Sequence, residues 1–200
     1  MRLPAALLDS IAPSRCAGCG HSGRVLCEGC ADAIEAVPAP IVSGAVAAFE
    51  YDAEVRRIIH HGKFRDCRAA LRALAWLGAE RLEPPRGAVV TAVPLARRRA
   101  IQRGYNQARV VAQAFADFHR LPLVELLERT RNTPAQSTLD RGAREANVAG
   151  AFIASARAVG MTVWLVDDVR TTGATSAAAK RALTDAGAAN VEIAVLAAVA

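Results

Sequence analysis

Continuously apolar runs alternate with amphipathic stretches between residues 43 and 199. The apolar runs predict strands, and apolar residues spaced three and four apart predict helices. By these patterns, strands fall at residues 43–51, 88–93, 162–167 and 191–199, with a weaker one at 123–128, and helices at 53–61, 67–82, 106–119, 139–146 and 176–187. Repeated strand–helix alternation with apolar strands predicts an α/β fold, a mostly parallel sheet with helices on both faces.

The first 40 residues follow a different pattern. A short amphipathic helix is predicted at the N-terminus and another helix at residues 31–36, before the proline-broken linker 37–40. We therefore predict a small module at residues 1–40 and one domain at 41–200. The N-terminal apolar run is short and broken by Asp9, so neither a secretory signal nor a membrane span is expected. These features predict a cytoplasmic protein.

Four cysteines in the N-terminal module follow the spacing C-x2-C-x7-C-x2-C. They are Cys16, Cys19, Cys27 and Cys30. Such paired knuckles can present four thiolates to one tetrahedral metal ion, and a structural Zn²⁺ is the expected ion. Two disulfides or a redox pair are the alternative, which a reducing compartment disfavours. The fifth cysteine, Cys67, is predicted to be a buried thiol.

The stretch at residues 161–175 carries the strongest chemical signal. An apolar strand ends in Asp167 and Asp168, and a hydroxyl- and glycine-rich turn leads into a helix. The turn consists of Thr171, Thr172, Gly173, Ala174 and Thr175. Backbone N–H groups at a helix start attract phosphate, and carboxylates accept hydrogen bonds from sugar hydroxyls. The pattern predicts a sugar-phosphate site, and the alternative is an ordinary helix start with capping threonines. Because neighbouring strand residues point to opposite faces, the strand must end by Asp168 if both acids meet one ribose.

This stretch resembles the phosphoribosyl-pyrophosphate (PRPP) motif of type I phosphoribosyltransferases. The resemblance implies that Asp167 and Asp168 act at the reacting sugar by holding the ribose hydroxyls, and that residues 171–175 hold the 5′-phosphate. Arg170 stands at a variable position of the motif and is included in the predicted PRPP-binding set. Mg²⁺ is implied as the ion that accompanies PRPP, since it prefers oxygen ligands and phosphate.

A second set of basic residues is predicted to bind the pyrophosphate end of PRPP. The segment after the strand at 88–93 contains three consecutive arginines, Arg97, Arg98 and Arg99, which are expected at the same sheet edge as the acids. Lys63 is also included in the predicted set. The chain has 25 basic and 19 acidic residues, a net charge of +6, which suits a polyanionic ligand. Alternatively, the arginine triplet is a solvated surface run in an arginine-rich chain.

A narrower resemblance covers nearly the whole chain, which is similar to the ComF family. The matching residues are Tyr51, residues 61–64, 93–95, 103–107 and 129–131, Gln136, Leu139, Arg141, Arg144, Glu145, Asn147 and residues 150–152, together with the four cysteines and the acid motif. The resemblance implies a phosphoribosyltransferase-like protein linked to DNA uptake or to sugar-acid utilisation. The polar segment 129–147 resembles the mobile catalytic loop of the superfamily.

Two functions remain open at this point. One is transfer of a phosphoribosyl group from PRPP to an acceptor that the sequence does not identify, because no residue stands out as its general base. The other is a non-catalytic module that binds single-stranded DNA or a partner in the DNA-uptake machinery through its basic face and finger. The oligomeric state is left open as well.

Overall fold

The computed structural model describes residues 14–40, 42–64, 68–96, 100–101, 104–130 and 150–199 of the 200-residue chain. The elements, in chain order, are α1 (Glu28–Glu35), β1 (Val46–Glu50), α2 (Ala53–Phe64), α3 (Arg68–Glu80), β2 (Val89–Ala92), α4 (Gln107–His119), β3 (Leu127–Arg129), β4 (Phe152–Ala154), a 3-10 turn (Ala156–Ala158), β5 (Thr162–Arg170), α5 (Ala174–Asp185) and β6 (Asn190–Ala198).

The main sheet has four strands in the order β1-β6-β5-β2, and every neighbouring pair is parallel. The predicted α/β class with a parallel sheet is therefore confirmed. β2 is shorter than β5. Its last residue, Ala92, pairs with Val166, and β5 continues beyond this pair. Residues 167–170 of β5 extend beyond β2, and Asp167, Val169 and Arg170 pair with β6.

Helices cover both faces of this sheet, as predicted. Trp164 and Val166 of β5 are buried in a core formed with α2, α3 and α4. Val163 and Leu165, which alternate with them, are buried in a second core that includes Leu183 of α5. A strand buried on both faces needs a continuous apolar run, and that run is why β5 could be recognised from the sequence.

The segments that follow β2 and β5 lead to helices on opposite faces of the sheet. After β2 it continues into α4, which packs on the Trp164 face through Phe115. After β5 it continues into α5, which packs on the other face through Leu183. Neighbouring parallel strands whose connections diverge in this way leave a crevice at their carboxyl ends, where open α/β sheets bind ligands.

Part of the sequence-based assignment needs correction. The weak strand predicted at 123–128 is divided: Leu123 forms an isolated parallel bridge with Val90 of β2, and Leu127–Arg129 forms β3, which pairs antiparallel with β4 in a separate sheet. The strand predicted to end at residue 167 continues to Arg170, and α5 begins at Ala174 rather than at residue 176. The apolar sequence around Trp76 predicts a core position for it, but its side chain is 42% exposed. The N-terminal helix, the helix at 139–146 and Cys67 lie outside the described residues.

The cysteine-containing segment packs against α2 and α3. Ala17 and Ile34 belong to the same buried cluster as the helices of the main domain. The Arg57 side chain of α2 donates a hydrogen bond to the carbonyl of Gly18 (2.8 Å), and Arg81 donates one to the carbonyl of Val37 (2.7 Å). The division into domains at residue 40 stays a prediction. Among the described residues, no helix combines the length and apolar content needed to cross a bilayer.

The tight approach of α3 to the sheet gives a first prediction. A β-carbon on Gly78 would lie 2.9 Å from Leu196 Cδ1, 3.0 Å from Ala48 Cβ and 3.1 Å from Phe49 Cε2. Overpacking of this kind costs about 1–3 kcal/mol, which exceeds the roughly 1 kcal/mol that alanine adds to helix propensity. We expect Gly78→Ala to lower the free energy of unfolding, measured by urea denaturation.

Gly29→Ala in α1 is the matched control, because a β-carbon there would meet nothing within 4 Å. We expect this control to leave the unfolding midpoint unchanged or slightly raised. A stabilised Gly78→Ala protein would contradict the described packing of α3.

Candidate functional site

The paired acids lie at the carboxyl end of β5, where the strand has passed the end of β2. Asp167 and Asp168 are both half-buried. An oxygen of Asp167 accepts a hydrogen bond from the Asp168 backbone N–H, and an oxygen of Asp168 accepts one from the Val169 N–H, both at 2.9 Å. Each carboxylate is thus held by the backbone of the next residue, which restricts its rotamer.

The strand does not end at the acids. β5 continues to Arg170, because β6 runs on to Ala198 and provides pairing partners for Val169 and Arg170. If both acids are to meet one ribose, the strand must end by Asp168. Because β5 continues to Arg170, this requirement is not met. The pocket at this edge is lined by Asp167 but not by Asp168.

The turn after β5 places a helix N-terminus beside Asp167. Gly173 caps α5 with a left-handed backbone (φ 77°, ψ 0°), which favours glycine. The first helical hydrogen bond joins the N–H of Ala177 to the carbonyl of Gly173 at 2.9 Å. Threonine does not occupy the N-cap position, but the hydroxyl of Thr172 accepts a long hydrogen bond of 3.5 Å from the Ala174 N–H. The N–H groups of a first helical turn have no carbonyl partner within the helix, and they carry its positive dipole end.

These residues line an open pocket of about 220 Å³, a volume that includes space open to solvent. It is lined by Asp167, Val169, Arg170, Thr171, Thr172, Gly173, Ala174, Thr175 and Ser176. The structure therefore brings together the predicted turn residues, Arg170 and one of the two acids. Val169 and Ser176 were missed from the sequence, although both directly flank the predicted motif. A helix start, hydroxyl groups and one arginine favour an anion, while the carboxylate favours hydroxyl groups or a cation.

The loop after β2 reaches the same end of the sheet. Asn106 fixes this loop, because its side-chain amide donates to the carbonyl of Val93 (3.0 Å) and its amide oxygen accepts from the Ala108 N–H (3.1 Å). Asn106 is also the N-cap of α4. The Val93 N–H in turn donates to the carbonyl of Val166 in β5. Hydrogen bonds thus tie Val93 to Val166 of β5 and to Asn106 at the start of α4.

Several predicted site residues cannot be located within the described part of the chain. Arg97, Arg98 and Arg99 lie outside the described residues. Lys63 belongs to α2 by its backbone, and its side chain lies outside the description. The loop predicted over 129–147 is described only at Arg129 and Thr130.

The four N-terminal cysteines form a compact cluster, as the spacing predicted. All four are free thiols, and their sulfur atoms lie within 4.8 Å of one another. A tetrahedral zinc site with Zn–S bonds of about 2.3 Å places its sulfurs about 3.8 Å apart. The Sγ atoms of Cys19 and Cys27 are 3.6 Å apart, and the Cys27 N–H points at the sulfur of Cys16 (3.4 Å). The donor set and its spacing therefore fit a structural Zn²⁺.

The thiols influence one another strongly. Burial by itself raises the pKa of the Cys16 thiol, but hydrogen bonds from the backbone N–H groups of Cys19, Cys27 and Gly18 outweigh it and lower that pKa to about 6. Burial, and then hydrogen bonds with Cys27, Cys19 and Cys16, raise the pKa of Cys30 to about 12. Four thiolates this close repel one another unless a cation neutralises them.

Known proteins similar to this chain include several whose names refer to DNA. The chain is 30% identical over 158 residues to the DNA utilization protein YhgH of Salmonella typhi, covering 74% of this chain and 69% of that protein. It is 35% identical over 105 residues to YhgH of Escherichia coli (strain K12), covering 52% of this chain and 46% of the relative, about half of its length. It is also 30% identical over 146 residues to the competence protein ComFC of Streptococcus pneumoniae, covering 73% of this chain and 64% of that protein.

Solved structures with a similar fold include two enzymes named for phosphoribosyl chemistry. The glutamine PRPP amidotransferase from B. subtilis matches with a TM-score of 0.45 and 23% identity, over 64% of this chain and 26% of that chain. The hypoxanthine phosphoribosyltransferase from Trypanosoma cruzi matches with a TM-score of 0.38 and 15% identity, over 66% of this chain and 65% of that chain. No protein-family model matches the chain.

The relative from Salmonella typhi is matched over more than two thirds of its length, so the similarity is not confined to the acid motif. The four-cysteine cluster, the parallel sheet and the turn after β5 agree with the expectation drawn from the sequence. The chain belongs to the ComF family.

Proposed function

We propose that this ComF-family protein binds PRPP at the carboxyl end of β5 and transfers its phosphoribosyl group to an acceptor. One observation carries the proposal: Asp167 lines the same pocket as the N-terminus of α5 and the turn before it. A phosphorylated sugar carries both an anionic group and hydroxyl groups, and this pocket offers a partner for each.

The 5′-phosphate is assigned to the turn at residues 171–175. Backbone N–H groups at the start of α5 donate to its oxygens, and the hydroxyls of Thr171, Thr172 and Thr175 add further donors. The glycine at position 173 provides the left-handed φ of 77° with which the turn enters α5, a conformation that other residues rarely adopt.

The ribose is assigned to the carboxylates. Asp167 faces the pocket and accepts from a ribose hydroxyl, and Asp168 is assigned the neighbouring hydroxyl. When pyrophosphate leaves the anomeric carbon, positive charge develops on the sugar, and fixed carboxylates stabilise that charge without reorganising. Their hydrogen bonds to the following N–H groups support such a fixed orientation.

Mg²⁺ would accompany PRPP and supply charge neutralisation for the pyrophosphate group. The half-buried carboxylates Asp167 and Asp168 are the residues that would hold it, because Mg²⁺ takes oxygen ligands and keeps several waters. Arg97, Arg98, Arg99 and Lys63 are assigned to the pyrophosphate end. The acceptor is left unassigned, because the sequence singles out no general base for it.

We further propose that the cysteine cluster of Cys16, Cys19, Cys27 and Cys30 holds one structural Zn²⁺. Four ligands fill a tetrahedral shell and leave no open position for catalysis. The ion would fix the two knuckles that position Ala17 and Ile34 in the main core.

A direct test of the sugar site compares three aspartate variants. Asp167→Asn and Asp168→Asn should weaken PRPP binding in the presence of Mg²⁺, because each loses charge-assisted hydrogen bonds worth about 1.5–3 kcal/mol, or roughly ten- to a hundredfold in Kd. The larger loss is expected for Asp167→Asn, since Asp167 lines the pocket. Isothermal titration calorimetry measures both.

Asp185→Asn, at the exposed end of α5, removes the same charge away from the pocket and should bind PRPP like the wild type. A wild-type protein that binds no PRPP would refute the proposed function. Pyrophosphate release across a panel of bases, nucleosides and ammonia would then identify the acceptor.

The zinc assignment predicts about one zinc per chain by elemental analysis, since four ligands close one site. Cys27→Ser should lose the metal and lower the melting temperature, because the N-terminal module shares its buried residues with the main core. Cys67→Ser, outside the C-x2-C pairs, should keep the metal. A structural zinc would be contradicted by a folded wild-type protein that contains no metal and whose melting temperature does not change when a chelator is added.

Binding of single-stranded DNA is a second candidate, supported by the names of the relatives and by the net charge of +6. Affinity for a labelled oligonucleotide should then fall steeply with salt, because neutralising phosphates releases counterions. Asp168→Asn should leave this affinity unchanged, and Cys16→Ser should abolish it. Salt-independent or absent binding by the wild type would exclude this role.

A further inference from the structure

Arg170 connects the pocket to a part of the chain far away in sequence. Its Nη2 atom donates a hydrogen bond of 2.8 Å to the carbonyl of Ser43, 127 residues away. We propose that Arg170 is a positioning residue for the anion-binding turn, held in place by the short turn that precedes β1. This inference rests on the proposed function, because it assigns a role within the same pocket.

The turn before β1 has the geometry needed to hold an arginine. Val42 and Ala45 form an antiparallel bridge across it, and Gly44 has a left-handed φ of 72°. Positive φ at the third residue is what a type II turn requires, and glycine is the residue that adopts it readily. The hydrogen bond that closes such a turn uses the carbonyl of its first residue. The carbonyl of Ser43, the second residue, is therefore available to accept from Arg170.

The guanidinium group of Arg170 also lies against Gly173. A β-carbon at position 173 would lie 2.6 Å from Nη1 and 2.7 Å from Nη2 of Arg170. The arginine therefore occupies the volume that a side chain at 173 would need. A planar guanidinium can contact a peptide group with its face while it donates from its edge, and a lysine ammonium cannot. Arg170 thus fixes Gly173, the N-cap of α5.

The position of Arg170 also affects the charge of the pocket. A cation beside the positive end of a helix is unfavourable on its own, and a bound anion relieves that repulsion. Because one donor of the guanidinium is directed at Ser43 and its face covers Gly173, we assign its main effect to shaping the turn rather than to direct coordination of the phosphate. Residues 42–45 are then part of the support for the phosphate site, although they do not line the pocket.

The first test measures the Kd of ribose 5-phosphate, which carries the 5′-phosphate but no pyrophosphate. Arg170→Gln should weaken binding about tenfold, the effect of losing one hydrogen bond from a charged group. Arg170→Lys should remain nearly as weak, because it restores the charge but not the planar contact. Arg181→Gln, an exposed arginine in α5 outside the pocket, is the control and should bind like the wild type.

The second test disturbs Ser43 without touching the pocket. Gly44→Ala and Gly87→Ala form a matched pair, since both glycines have positive φ (72° and 68°) and open space around the missing β-carbon. Both substitutions introduce similar backbone strain. Only Gly44→Ala should raise the Kd of ribose 5-phosphate, by about threefold to tenfold for strain on the order of 1 kcal/mol.

The outcomes separate this inference from the proposed function. If the wild type binds neither ribose 5-phosphate nor PRPP, the proposed function fails. If the wild type binds and Arg170→Gln binds equally well, only the positioning role fails. Full rescue by Arg170→Lys would show that charge alone matters and would also overturn it. Equal effects of Gly44→Ala and Gly87→Ala would mean that the link through Ser43 is not used.

Discussion

The candidate site depends on the unequal lengths of paired strands. β2 stops at Ala92, opposite Val166, whereas β5 and β6 continue in parallel to Arg170 and Ala198. The continued pairing with β6 keeps the acids on ordered backbone, while the early end of β2 opens one edge beside them. Since the chain leaves β2 and β5 toward opposite faces, a ligand can enter between their connections. A longer β2 would close this edge.

Two opposing electrostatic features meet at that edge. The N-terminus of α5 and the guanidinium of Arg170 favour an anion, and the carboxylate of Asp167 lies in the same pocket. Neither a simple anion nor a simple cation satisfies both features. A ligand with a phosphate at one end and hydroxyl groups next to it would satisfy both, and this is the basis for proposing a phosphorylated sugar.

The cysteine cluster contributes to the fold at a distance from the pocket. Ala17 of the first knuckle and Ile34 of α1 lie in the core on the α2–α3 side of the sheet. Arg57 of α2 and Arg81, directly after α3, donate hydrogen bonds to backbone carbonyls of the module. Because both arginines contact backbone carbonyls, these hydrogen bonds depend on the backbone conformation of the module and not on the side chains at the accepting positions. Whatever holds the four thiols together therefore also supports the helices that cover one face of the sheet.

The sequence by itself determined the features that depend on neighbouring residues. Apolar runs such as 162–167 indicated buried parallel strands, the C-x2-C pairs indicated the thiol cluster, and Asp167 followed by the threonine–glycine turn indicated the pocket. Only the tertiary structure decided where β5 ends, because the pairing of Arg170 depends on Ala198 in another strand. It likewise decided the pairing of β3 with β4 and the contact between Arg170 and Ser43. These features join residues far apart in the chain, and local patterns of hydrophobicity carry no information about which distant backbone group will be the partner.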